Sequence, residues 1–479
     1  MSKHRHPAAD TNKNAVANRE IDTNENAVKS TTKNMTSGSP MKLILGFSVP
    51  LLFGFLFQQF YTLVDTMIVG RFLGVDDLAG VGSTGSVNFL IIGFCTGICN
   101  GFSIPIAHRF GAGDLRSMRR YAANCVWLGI AFSVILTLVT TLLCRDILQL
   151  MKTPANIFPQ AYQYIFLIFL GIPATFLYNT VSGIIRALGD SKTPVLFLIL
   201  ASFINIALDL LFIVSFSLGV SGAALATVLS QLIAGTGCLL FMIRKFVLLR
   251  PQGEEWRPDA AAMRVLCHMG IPMGLQYSIT AIGSVILQSA TNSLGSDAVA
   301  SVTAATRIIF FLACPFDAMG ATMSTYGGQN VGAGRLDRIG LGLRSCTLLG
   351  AGYSIIGFLI ALLFGAPLVS LFVETPTATI IDNARFYLLV STCFYFPLAL
   401  VNIVRFLIQG MGFSGFAIFA GVFEMVARIL VGLVLVPRLG FFGVCLGGPI
   451  AWVMADSFLI PAYFHVSRVL RRPKLPKEF

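Results

Sequence analysis

Residues 195–216 read VLFLILASFINIALDLLFIVSF, a run of 22 in which Asp209 is the single charge. As an α-helix rising 1.5 Å per residue, the run reaches about 33 Å, enough to cross the roughly 30 Å hydrocarbon layer of a bilayer. Phe89 to Ser103, Trp127 to Cys144 and Tyr353 to Leu363 carry no charge at all. Across all 479 residues, 55% are hydrophobic and 12% are charged, and the mean hydropathy is +0.79. So much apolar surface does not fit inside a water-soluble core, which makes lipid the solvent. The 46 glycines suit closely packed membrane helices. The ten-residue alternation of a membrane β-barrel is missing.

Apolar runs bounded by charge, Gly or Pro predict an all-α integral membrane protein of twelve transmembrane helices. They fall near 43–70, 78–107, 121–144, 157–186, 194–216, 221–243, 262–292, 298–329, 340–365, 383–409, 415–436 and 443–466. The net charge of +12 is not spread like a nucleic-acid surface. About 19 Lys and Arg lie on the even-numbered connections and the C-terminal tail, against about 5 on the opposite loops. This bias places both termini in the cytoplasm and the chain in the cell membrane, with no nucleic-acid partner.

The chain also repeats. Leu73-Gly74-Val75-Asp76 returns as Leu294-Gly295-Ser296-Asp297, Gly111-Ala112-Gly113-Asp114 as Gly332-Ala333-Gly334-Arg335, and Leu218-Gly219 as Leu439-Gly440, each 221 residues later. An even number of crossings brings each copy back to the same side. The repeat therefore implies two six-helix bundles, at 41–243 and 262–466, of the kind that flank a transport pathway. Residues 244–261 read as a cytoplasmic linker, 1–40 as a disordered cytoplasmic tail and 467–479 as a basic one.

An ionisable side chain in mid-membrane is expensive, so each one marks a candidate site. Asp65 and Asp209 lie in the first half, and Arg307, Asp317, Glu424, Arg428 and Asp456 in the second. Helical spacing puts Gln58, Tyr61 and Asp65 on one face, and stacks Asn205 one turn before Asp209. Two carboxylates with amide and hydroxyl oxygens suit a proton or a sodium ion. Glu424 and Arg428, four residues apart, read as a self-neutralising pair. The ten Cys lie mostly in apolar runs and read as packing residues. His4 and His6 fall in the tail and His108, His268 and His465 at helix ends, so neither a zinc motif nor a catalytic triad is suggested. A membrane-embedded enzyme would need such a cluster, so no catalytic residues and no cofactor are expected.

Twelve helices in two repeats, Val64-Asp65-Thr66 late in the first helix, and a Gly-Ala-Gly turn after helices 2 and 8 resemble the multidrug and toxic compound extrusion (MATE) family. The first half is similar to its DinF-type branch, through Pro50, Tyr61, Asp65, Asn205, Asp209 and Thr227. That resemblance implies a coupling site for protons or sodium at Asp65, Asn205, Asp209, Thr227 and Tyr61, with helix 1 bending near Pro50. The NorM-type branch carries acids on helices 7 and 10, where this chain has Gln276 and Asn402. Gln58, Tyr178, Asn179, Gln276, Arg307 and Asp317 are candidates to line a cavity. The activity implied is antiport of amphiphilic or cationic organic compounds by a monomer. The competing cargo is a lipid-linked saccharide, for which Arg307 and Arg428 offer thin support.

Overall fold

A computed structural model describes residues 34–372 and 377–472, and among these no strand occurs. Ten helices are long and apolar enough to cross a bilayer, and two bent pairs bring the number to twelve. By span, α1 is Pro40–Leu73, α2 Gly85–Gly111, α3 Leu115–Leu142, α4 the pair Phe158–Leu170 and Ile172–Ala187, α5 Lys192–Asp209, and α6 Val220–Lys245. In the second half, α7 is Ala260–Asn292, α8 Ser296–Gly332, α9 Leu336–Ser370, α10 the pair Ala378–Cys393 and Tyr395–Gly410, α11 Gly415–Leu430, and α12 Gly447–Arg471.

Four expected spans are interrupted, the one at 443–466 by a break at Leu446 between Phe441–Cys445 and α12. The run at 78–107 is split at Thr84 into a short helix, Val75–Ser83, and α2. The two pieces of α4 meet at 45° and those of α10 at 50°. Pro173 and Pro397 lie just beyond these breaks, and each removes the N–H that the carbonyl four residues earlier would have received.

The repeat seen in the sequence is conformational. Gly74 and Gly295 have φ of 96° and 97°, and Gly219 and Gly440 have 60° and 58°. A side chain is strained at these angles, which is why the turn keeps glycine in both copies. The repeat extends to a feature with no sequence signature. A π-helical turn follows α5 at Leu210–Ser215, and another follows α11 at Val431–Leu435.

The two largest of four hydrophobic clusters, the first and second cores, do not respect the expected boundary between halves. Ile44, Phe47 and Leu51 of α1 pack with Phe316, Tyr395 and Leu407 of the second half, whereas Ile68 and Val69 of the same helix belong to the first. Leu266 of α7 makes the reciprocal exchange and packs in the first core. The expected tail up to residue 40 is shorter than read, because Met35 is fully buried. Its N–H donates to Gln329 Oε1 at 2.8 Å, and its carbonyl accepts from Asn330 Nδ2 at 3.2 Å. Residues 1–33 and 473–479 lie outside the described residues, while 467–471 continue α12.

The halves are joined along α2, from its middle to the end that carries a basic connection. Gly97 and Gly101 of α2 face Gly270 and Gly274 of α7, two GxxxG pairs that bring the backbones into contact. An ideal Cβ at Gly101 would stand 2.5 Å from Gly270 Cα. Nearer the basic face, Gly111 abuts the Gln329 carbonyl and Gly332 the His108 carbonyl. These two contacts exchange under the 221-residue repeat, so the crossing of α2 and α8 lies on the pseudo-two-fold axis.

The linker is docked onto α3. Arg119 donates to Glu255 through Nε and Nη2 at 2.7 and 2.8 Å, and Trp127 Nε1 donates to the Trp256 carbonyl at 2.9 Å.

Candidate functional site

α1 and α5 pack side by side. They bring Asp65 and Asp209, 144 residues apart in the chain, within hydrogen-bonding reach of one another. Asp209 is fully buried, and each of the two leaves a buried Oδ1 without a partner among the described residues. With its amide turned to satisfy both ends, Asn205 donates to Asp209 Oδ2 and accepts from the Thr227 N–H, both at 3.3 Å. The reverse orientation points its Nδ2 at Thr227 Oγ1 at 3.4 Å. The Tyr61 and Tyr164 rings stand beside both carboxyls. Tyr164 was not singled out in the sequence, since one aromatic in an apolar run carries no signal.

Asp209 is the last residue of α5 before the π turn. Such a turn breaks the regular α ladder and recurs at functional sites in helices. The matching turn in the second half follows Leu430, so only the first half pairs this backbone feature with an acid. Two like charges in contact within a low-dielectric bundle are not both ionised cheaply. One proton relieves the conflict, and so does one monovalent cation held by oxygens. Among the described residues no three His, Cys, Asp or Glu converge, so the donor set does not resemble a multivalent metal site.

The other candidates divide by environment. Pro50 sits within the part of α1 that packs on the second core, which runs from Ile44 past the proline to Leu51 and Phe55, and the helix is continuous through it. Gln58, Arg307 and Asp317 are exposed. Tyr178 is half-buried and donates to the Pro194 carbonyl at 3.0 Å, and Asn179 bonds back to the Thr175 carbonyl at 2.9 Å. Gln276 is buried inside the second bundle, where it accepts from Gln409 Nε2 at 2.7 Å, and so it presents no accessible surface.

Glu424 and Arg428 pair as expected, but the pair is not self-contained. Glu424 is bonded first to Arg405 of α10, and Arg428 stands 3.6 Å away while also donating to the Thr280 carbonyl and Ser284 Oγ. Asp456 lies near this pair with a buried Oδ1 that has no partner among the described residues. Arg405 escaped notice even though it interrupts the apolar run 395–410 as Arg428 interrupts its own. The rule that flagged one should have flagged both. The expected helix 157–186 ends on Arg186, and α4 runs one residue further, to Ala187.

A helical membrane protein built from two repeated halves, with buried carboxyls beside the packed helices, belongs to the class of transporters. A MatE family model matches residues 50–211 and 272–434. The chain is 30% identical over 373 residues to a probable multidrug resistance protein of Bacillus subtilis, covering 78% of this chain and 82% of the relative. It is 25% identical to an FAD transporter of Shewanella oneidensis, with 76% and 80% covered. The fold matches the outward-facing conformation of a MATE transporter with a TM-score of 0.86 at 24% identity, over 92% of this chain and 100% of that one. The chain belongs to the MATE family.

Proposed function

We propose that this protein is a secondary active multidrug exporter, in which organic solutes leave the cell as protons or sodium ions enter. The observation that carries this reading is the contact between Asp65 and Asp209, each with a buried oxygen left unpartnered. Asn205, Thr227 and Tyr61 complete the coupling site by oxygen chemistry alone. A monovalent cation entering down the membrane potential supplies about 2.3 kcal/mol per 100 mV, besides its concentration gradient. The basic face is cytoplasmic by the distribution of Lys and Arg. The closed crossings of α2 with α7 and α8 then seal the cytoplasmic end, which leaves the opposite end as the way out.

Helix α1 connects site and gate. Its Asp65 end lies in the first core and its Ile44–Leu51 end in the second, with Pro50 inside that second segment. A change of bend at Pro50 on cation binding alters how the two cores are joined, and so alters the relative stability of the two access states. Relatives named for multidrug resistance and for FAD transport support an organic cargo. Reconstitution into liposomes with separately imposed pH and sodium gradients tests the proposal, with ethidium efflux as the readout. Efflux that follows neither gradient in the parent protein would refute it.

A further inference from the structure

Arg186 is the penultimate residue of α4, and the carbonyl of its neighbour Ala187 accepts from Gln329 Nε2 at 2.9 Å, at the level of the α2–α8 crossing. A basic side chain near a helix end ordinarily turns toward the water at that end. This one turns the other way. Its Nη2 donates to Asn100 Oδ1 at 3.0 Å, and Asn100 lies three turns up α2 from Gly111, about 16 Å along the helix axis.

That is the single hydrogen bond the guanidinium makes among the described residues, and no carboxylate forms a salt bridge with it. The nearest acid in sequence, Asp190, is already engaged by the Lys192 and Thr193 N–H groups and the Thr193 hydroxyl. Asp317 has Arg405 as its basic neighbour. Arg186 is nevertheless partly exposed, and Tyr178 of the first half and Tyr277 of the second lie within its electrostatic range. An always-charged planar fork of five N–H donors therefore sits between the halves with no salt-bridge partner among the described residues and two tyrosines in its neighbourhood.

We infer that Arg186 is an oxyanion receptor in the transport pathway. It takes a carboxylate or phosphate carried by an aromatic amphiphile, held by charge-assisted hydrogen bonds while the ring lies against Tyr178 and Tyr277. The inference rests on the exporter reading and adds a substrate class to it. The same oxyanion chemistry is also offered by an anionic lipid headgroup.

Binding of fluorescein and of ethidium to the purified full chain tests the assignment, together with ethidium efflux from liposomes. Arg186→Gln should weaken fluorescein binding about tenfold or more and leave ethidium binding intact, with Arg186→Lys in between. Asn100→Asp places a carboxylate where the amide oxygen now accepts, so it should compete with fluorescein for the guanidinium while keeping the contact that holds the side chain. It provides the test if Arg186→Gln fails to fold. Repeating the titrations in nanodiscs with and without phosphatidylglycerol separates the sources. Fluorescein affinity lost on adding that lipid in the parent but not in Arg186→Gln identifies a headgroup as the anion, and unchanged affinity identifies a soluble one. Parent protein that exports ethidium but does not bind fluorescein would overturn this inference alone. So would variants that weaken both dyes equally, or neither. Failure to export ethidium under any gradient would instead remove the exporter reading.

Discussion

Gly101→Ala adds one methyl group to the α2–α7 crossing, where an ideal Cβ would stand 2.5 Å from Gly270 Cα and 2.6 Å from the Met269 carbonyl oxygen. Ordinary contact begins at 3.4 Å, so the helices must part by about 1 Å, and the opposing atoms are backbone with no flexible side chain to yield. Overpacking of this kind costs about 1–3 kcal/mol. The cost falls on the conformation in which the crossing is closed, so the open form should gain about 5- to 150-fold in population. Spin labels on Arg116→Cys and Arg344→Cys, with the accessible Cys267 and Cys393 replaced by serine, report the separation of the halves on the basic face. The longer distance should grow at the expense of the shorter, and ethidium efflux should fall. Gly340→Ala, whose Cβ would meet nothing within 4 Å, is the control. A distance distribution unchanged by Gly101→Ala would show that this crossing is not the gate.

The Arg119 side chain is the main cause holding the Glu255 carboxyl below its ordinary value of 4.5. A depressed folded-state value adds stability above the unfolded one and loses it as pH falls through the folded one. Glu255→Gln should thus lower the melting temperature by a few degrees at neutral pH and narrow to no difference in acid; an equal deficit at all pH values would contradict the ion pair. In sealed cells, an impermeant thiol reagent should label Asp297→Cys and spare Arg257→Cys, and labelling of the latter would reverse the assigned orientation. Thr227→Val should weaken sodium-dependent stabilisation of the purified protein more than pH-driven efflux, because a lost hydroxyl ligand matters to a metal ion and less to a proton.

Much of this architecture can be read from the residues. The apolar runs located the spans, and the Leu-Gly and Gly-Ala-Gly repeats marked turns whose glycines require positive φ. Asp65, Asn205 and Asp209 were singled out because charge and amide in an apolar run are costly. What escaped depends on pairing between distant segments. Nothing in α1 alone shows that Phe47 packs in the second core and Val69 in the first. The GxxxG pairs at Gly97 and Gly270 are visible as patterns, but which helix each one meets is settled in three dimensions. Arg186 is the last residue of its expected helix, and hydropathy marks where a helix leaves the membrane and not which way its last side chain turns.

The central claim is that Asp65 and Asp209 act as one cation-binding unit coupled to the cargo, and proton release on ethidium binding tests it most directly. Measured in weakly buffered solution for the parent, Asp65→Asn and Asp209→Asn, release should occur in the parent under proton coupling and vanish in both variants at matched folding. If sodium is the coupling ion, displacement of bound sodium takes the place of the released proton and should be lost in the same two variants. Release of either ion at the parental level in both variants would show that these carboxyls are structural, and the coupling mechanism would fall.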